Sequence, residues 1–488
     1  MNGEPLADRN AQRRLVVCVA VAVFMARLDI YAVNISLPTI ARQFHVGTSA
    51  VSWVTMSYLL FNCGAMMLIG RIADTISPRT LFIWGYAVFT AGSLLCGLAT
   101  SLSMLVFFRC MQGLGGSILV IMTYTAVSRF LPPAKVGGAM GILATCGALG
   151  IAVGAPLGGF LTERLSWQCV FFVNVPIGVI AILLASWAIP REMWDGKPMG
   201  KLDFLGALLS MLGVVSFVLA LNVGQKEGWK SLHFDALLAF SVFCGSLFLV
   251  RQFMAKEPLV APALLKERRF LLANAVTVFG LLLMGGNVFL MPFLLELVKG
   301  LSPEHAGIVF MIYSVTFMAL SPLAGRLADR LAPSHLCVAG MGVAAACSLV
   351  FARTLGVPGF TNVVIFLVGL AIGYALFLAA NAKLVLSSAP MEHKGAASAV
   401  YGTIYNLGLL IGVNIFETLY TATGASLKTL PVAPGAGAWV PGFSHAYLFG
   451  AGACLVSLLL AFCISHIGKS TRPAAGERLS SSAVDRHS

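Results

Sequence analysis

Apolar runs of about twenty residues recur from Leu15 to Ile467, and they constrain this chain more than any other feature. A run of that length spans a bilayer as a helix, and in lipid only helices and closed barrels satisfy their own backbone polar groups. Fourteen spans are expected, at 15–36, 50–69, 80–99, 103–127, 137–161, 168–189, 203–221, 234–254, 270–296, 305–325, 335–352, 361–386, 395–422 and 444–467. The expected fold class is therefore all-α, a polytopic protein of 14 transmembrane helices. Asp, Glu, Lys and Arg make up only 10% of the 488 residues, too few to cover a water-facing surface, so the lipid bilayer must face much of the chain.

Two charged stretches interrupt the apolar pattern. GRIADTISPRT runs from Gly70 to Thr80, and GRLADRLAPSH from Gly325 to His335, 255 positions later. Two copies of one design imply a duplication. The first follows span 2 and the second follows span 10. If 203–254 is a two-helix insert, both copies follow the second helix of a six-helix lobe, the lobes being 15–190 and 270–467. REMWDGKPMGK and AKEPLVAPALLKERR then serve as linkers. Residues 1–14 form an amino-terminal segment, and 468–488 a polar, Ser-rich tail expected to be disordered. Two parallel repeats around a midplane cavity are a transporter architecture.

The net charge of +13 would suggest a nucleic-acid partner in a soluble protein. Here it follows the positive-inside rule, and no nucleic acid is expected. With a cytoplasmic amino terminus, 22 of the 32 Lys and Arg fall on the cytoplasmic side, seven outside and three within spans. Both termini and both charged stretches then lie inside. The first apolar run holds Arg27 and Asp29, and is too long and too polar for a cleaved signal. The eleven cysteines lie singly within apolar runs, without CxxC or a Cys/His cluster, so they read as packing residues and no metal site is expected. No Walker motif, HExxH or GxSxG occurs, which argues against an ATP-driven pump and against an enzyme.

Ionisable groups inside a membrane are costly and point to function. Asp29 lies 14 residues into span 1, about 21 Å from its inner end at 1.5 Å per residue. Arg109 lies six residues below the outer end of span 4. In a core of about 30 Å the two sit at a similar depth. Gln112, one turn after Arg109, can orient it. Arg27, Tyr31 and Asn34 share one polar face of helix 1, while Asp29, Val33 and Ser36 share another. Arg27 can bind an anionic substrate or partner a carbonyl or carboxylate.

GRIADTISPRT resembles the loop between helices 2 and 3 of the major facilitator superfamily. LDIYAVNISLP (Leu28–Pro38), RCMQGLGG (Arg109–Gly116), GALGIAVGAPLGG (Gly147–Gly159) and WQCVFFVNVPIG (Trp167–Gly178) resemble helix motifs of its 14-helix drug:proton antiporters. The resemblance covers residues 15 to 467. It implies that helices 1 and 4 are neighbours, so that Asp29 and Arg109 meet across the cavity and couple proton movement to substrate. Low dielectric favours a protonated carboxyl group and a nearby cation favours the ionised one, so substrate or a moving arginine can tip that balance. A static buried ion pair is the plainer alternative.

The resemblance also implies that Gly70, Arg71, Asp74, Arg79, Gly325, Arg326 and Asp329 form cytoplasmic latches, against the simpler reading of solvated turns. Gly70 would permit a sharp exit from helix 2. Gly147, Gly150, Gly154, Gly158 and Gly159 form a stripe for close helix approach on the antiporter helix. Pro156 stands one place later than the family's proline, where this chain has Ala155. Further departures are Arg27 itself, Tyr405 where many relatives have arginine, and the acids Glu296 and Glu417. These two acids are expected to be solvated near the outer interface, or else to bind a cation or a second proton. Lys383 is expected to snorkel. Asn174, Pro176, Phe171 and Phe172 read as packing and kink residues.

The function implied is a proton-coupled antiporter of the cell inner membrane that exports lipophilic or drug-like small molecules by alternating access. Its energy source is the proton gradient, with no other cofactor. Expected partners are the bilayer, protons, a small-molecule substrate and a periplasmic adaptor protein. Export of one specific, anionic metabolite or siderophore is an alternative. A membrane receptor or assembly protein on a transporter scaffold is another.

Overall fold

The computed structural model describes residues 8–73, 76–189, 203–255, 258–390, 394–422 and 439–467. They form fourteen long helices. In chain order these are α1 (Arg9–Gln43), α2 (Thr48–Ile72), α3 (Pro78–Gly97), α4 (Leu102–Phe130), α5 (Pro133–Arg164), α6 (Gln168–Ala188) and α7 (Phe204–Glu227). Then come α8 (Leu232–Met254), α9 (Arg268–Val298), α10 (Pro303–Arg330), α11 (Pro333–Thr354), α12 (Thr361–Ser387), α13 (Lys394–Thr421) and α14 (Val440–Ile467). Thirteen are long and apolar enough to cross a membrane, and α2 is packed among them. The all-α, polytopic expectation holds, and no strand occurs among the described residues.

Helix packing repeats along the chain. α1 packs on α5, α3 on α4, and α2 on α4. Eight helices later the same contacts recur, with α9 on α13, α11 on α12, and α10 on α12. The two bundles meet along α5–α10 and α2–α13, which are equivalent contacts under the same offset. α7 lies on α2 and α13, across one seam, while α8 packs mainly on α7 and exposes Val242, Phe243 and Leu249 outward. Arg251 Nε donates to Asp203 Oδ1 at 2.8 Å and ties the base of this helical pair together.

Several boundaries differ from the sequence reading. α1 takes in residues 9–14 because Asp8 caps it, its carboxylate accepting the N–H groups of Asn10 (2.9 Å) and Ala11 (3.2 Å). The second linker is not a bare tether. It carries a short helix, Pro262–Lys266, with Leu264 buried, and Gln252 Oε1 accepts the Val260 N–H at 2.9 Å. The first linker, residues 1–7 and the tail 468–488 lie outside the described residues.

The charged stretches are corrected too. Gly70 does not end α2, which continues to Ile72, and its φ is not positive. Gly325, Arg326 and Asp329 all lie within α10. The turns come later and need no left-handed glycine, because Pro78 and Pro333 open α3 and α11 at positions where a missing N–H costs nothing. Asp74 and the side chain of Arg71 lie outside the described residues, while Arg79 sits half-buried on the first turn of α3.

The end of the molecule bearing these stretches is here termed the motif end, and the opposite one the far end. At the far end, ion pairs join the bundles. Arg42 of α1 meets Glu296 of α9 at 2.7 Å, and Arg164 of α5 meets Glu304 of α10 at 3.0 Å. Glu163 Oε2 also accepts the Glu304 N–H at 2.9 Å. At the motif end, a Cβ built on Gly70, Gly138, Gly141 or Gly325 would meet nothing within 4 Å. Lys299, between α9 and α10, donates to the Val357 carbonyl at 2.9 Å, and burial lowers its pKa from the ordinary lysine value.

Candidate functional site

The first bundle encloses an ion pair. Arg109 NH1 donates to Asp29 Oδ2 at 2.7 Å, and the two side chains are 1% and 0% exposed. Charges taken out of water need partners, and both residues have several. Arg109 Nε donates to the Val54 carbonyl at 2.9 Å, and NH1 also donates to Gln112 Oε1 at 2.6 Å. Its guanidinium carbon lies 4.4 Å from the Tyr58 ring centroid, a cation–π distance. Asp29 Oδ1 accepts from Gln112 Nε2 at 2.9 Å and from Asn174 Nδ2 at 2.8 Å. Both amides also donate to Ser93 Oγ, at 2.8 and 3.0 Å. Five helices, α1, α2, α3, α4 and α6, thus contribute to one network around the Asp29–Arg109 pair. Asn174 Oδ1 is buried with no hydrogen-bond partner.

Asn174 corrects the sequence reading, which gave it a packing and kink role. A single amide in an apolar span carries no signal of its partner, because its partner lies 145 positions away. Ser93 was missed for the same reason.

On the other face of α1, Asn34 is held locally. Its Nδ2 donates to the Ile30 carbonyl at 2.6 Å, and its Oδ1 accepts from Thr55 Oγ1 at 3.0 Å. Tyr31 is buried against Phe310 of α10, with ring centroids 5.9 Å apart. Arg27 is half-buried, with its guanidinium carbon 5.7 Å from the Tyr405 ring of α13. Two departures from the family pattern therefore face one another across the bundles.

The α5 glycines set how closely α1 approaches. A Cβ on Gly150 would come within 2.6 Å of the Phe24 oxygen, and one on Gly158 within 2.6 Å of Ala32 Cα. Gly147 and Gly154 face Val23 and Leu28 of the same helix. Gly159 turns the other way, onto Pro303 of α10, and Gly307 of α10 sits against Pro156. Pro156 lies inside α5, which runs past it to Arg164. One helix thus carries contacts from the ion-pair helix to the other bundle.

The remaining ionisable groups divide. Glu296 and Glu417 are not solvated at an interface. Glu296 is 9% exposed and paired with Arg42, and Glu417 is 0% exposed. The bundles and the aromatic packing of α13 and α14 meet there, so a position near a helix end is still inside protein. Lys383 reaches the polar end of α10, donating to the Ala328 carbonyl at 2.8 Å and to Asp329 Oδ1 at 3.0 Å. The acid of the second charged stretch therefore pairs with α12.

Comparisons with known proteins bear on the family and the fold. The chain is 27% identical over 446 residues to the riboflavin transporter RibZ of Clostridioides difficile (strain 630), covering 91% of this chain and 96% of that one. It is 26% identical over 422 residues to the multidrug transporter protein MdtP of Bacillus subtilis (strain 168), covering 86% and 77%. In fold it is similar to the crystal structure of a bacterial homolog of the human lysosomal transporter Spinster, with a TM-score of 0.66 and 15% identity over 96% of this chain and 100% of that one. Residues 19–413 match the Major Facilitator Superfamily. With that match over most of its length, the chain belongs to the Major Facilitator Superfamily and is a multi-pass membrane transporter.

Proposed function

We propose that the protein is a proton-coupled antiporter that exports lipophilic or drug-like small molecules across the cell inner membrane by alternating access. The motif end faces the cytoplasm in this reading, as the Lys and Arg distribution favours. The proton gradient supplies the energy. The observation that carries the proposal is the sealed Asp29–Arg109 pair with its amide shell.

The ionised carboxylate accepts three hydrogen bonds and is satisfied. A proton on Asp29 cancels the charge that holds Arg109 and creates a donor in need of an acceptor. Asn174 Oδ1 has no partner, and turning that amide over would present it to Asp29. In the conformation described Asp29 is fully buried, so its proton exchanges only when α1 or α4 moves. Exchange is thereby tied to conformation. Movement of α1 passes to the α5 glycine stripe, and from α5 to α10 of the other bundle. The charged stretches at the motif end act as latches, and Asp329 of the second one pairs with Lys383.

The relatives named as a multidrug transporter and a riboflavin transporter support small-molecule transport as the class. A pH step across proteoliposomes, read by efflux of a lipophilic fluorescent dye, tests the coupling. Asp29→Asn should insert normally and lose pH-driven flux, by about a hundredfold or more if the carboxylate is the coupling group. Undiminished pH-driven flux in that variant would overturn the proposal.

A further inference from the structure

One cluster lies outside the ion-pair network. Arg27 sits on the face of α1 turned away from Asp29, since two residues on a helix are about 200° apart. Asp29 is engaged by Arg109, so its charge is already neutralised locally. Around Arg27 the other bundle supplies aromatic rings. Tyr405 of α13 lies 5.7 Å from the guanidinium carbon, and Tyr401 stands 6.3 Å from Tyr405. Tyr31 and Tyr313 are both within electrostatic reach of Arg27 and of Tyr405. Tyr31, Phe310, Tyr313 and Phe317 form a ladder between α1 and α10, with centroid spacings of 5.9, 6.1 and 6.0 Å.

A second observation points to a ligand. The Tyr313 hydroxyl is buried with no hydrogen-bond partner, in a side chain 2% exposed. A buried hydroxyl left unbonded is destabilising, a penalty that a bound acceptor would remove. A guanidinium offers a planar fork of donors suited to a carboxylate or sulfonate. Phenol rings on both bundles offer flat walls with donors at their edges.

We propose that Arg27, Tyr31, Tyr313 and Tyr405 form a cross-bundle subsite for an aromatic organic anion. The anionic group meets Arg27 and the Tyr313 hydroxyl, and the ring lies among the tyrosines. Because Arg27 comes from one bundle and Tyr313 and Tyr405 from the other, such a ligand bridges the two halves that must move. This rests on the reading of the chain as a small-molecule exporter and narrows its substrate class toward organic anions.

Binding to the full-length protein in detergent, without any proton gradient, tests it separately from coupling. The probes are naphthalene-2-carboxylate, naphthalene-2-carboxamide and naphthalen-2-ylmethylammonium, followed by their fluorescence. The wild type should bind the carboxylate about tenfold or more tightly than the amide, and the ammonium least, as a charge-assisted pair predicts. Arg27→Gln should bring carboxylate and amide within about twofold of each other, while Arg27→Lys, which keeps the charge, should retain most of the preference. Tyr313→Phe should weaken the carboxylate several-fold and leave the amide less affected. No carboxylate binding by the wild type, a preference for the ammonium, or an unchanged preference in Arg27→Gln would each overturn the proposal. Carboxylate preference without pH-driven flux would support the subsite and count against proton coupling. Dye flux lost in Asp29→Asn but indifferent to Arg27→Gln, with no carboxylate preference, would do the reverse.

Discussion

The two bundles share one packing scheme and differ in what they enclose. In the first, α1 and α4 hold a buried ion pair with its shell of amides. At the corresponding helices of the second, α9 and α12, the polar contacts are neutral: Tyr374 Oη donates to the Gly280 carbonyl at 2.6 Å, and Asn381 Nδ2 to Thr277 Oγ1 at 2.8 Å. Aromatic packing dominates there instead. Phe351 stacks on Phe366 at 4.2 Å, and both meet Tyr447 edge-on, as does Phe416. The second bundle's buried acids, Glu296 and Glu417, lie toward the far end. A duplicated scaffold has thus kept its helix contacts while, among the described residues, the buried arginine–aspartate pair lies in the first copy; under the proposed function that bundle carries the proton switch.

The comparison can be broken at its strongest point. Arg109→Leu leaves Asp29 buried without its cation, which should destabilise the protein by about 3–5 kcal/mol in thermal or denaturant unfolding. Adding Asp29→Asn should recover much of that loss, since the two residues are in direct contact. Phe366→Ala should cost a similar amount, about 3–5 kcal/mol, by opening a cavity beside Phe351 and Tyr447. No partner substitution in the first bundle should rescue it, and the pH dependence of flux per folded molecule should be unchanged. A shifted pH profile in Phe366→Ala would blur the division between the bundles.

The smallest effect is at the far end. Arg42 is 47% exposed, so its pair with Glu296 is screened and should contribute under about 1 kcal/mol. Glu296→Gln should therefore raise maleimide labelling of a cysteine introduced at Ile35, which is 1% exposed here, by no more than about fivefold. Unchanged labelling would mean that the apolar contacts around Gly159 and Gly307 close that end without the ion pair.

Much of this was legible in the sequence because the membrane makes it so. Apolar runs give helices directly, and the recurrence of Gly325, Arg326 and Asp329 after Gly70 and Arg71 gives the repeat. Asp29 and Arg109 could be matched by depth, since charge is rare enough in the spans for two groups at one level to stand out. Asn174 and Ser93 could not, because isolated small polar residues in apolar runs also serve packing, and only the α3–α6 contact brings them to Asp29. For Glu296 and Glu417 the solvated reading fails, because distance from a helix end measures depth and not enclosure. Gly70 was misread because glycine can leave room on a helix face as well as bend a chain.

Under the proposed function, Asp29 is the group that takes and releases the proton. The pH-difference infrared spectrum of the reconstituted protein reads this without a substrate. A protonated-carboxyl band that vanishes in Asp29→Asn, and persists in Glu417→Gln and Glu296→Gln, is the expected result. A band that survives Asp29→Asn and disappears in Glu417→Gln would place the switch in the second bundle and contradict the account.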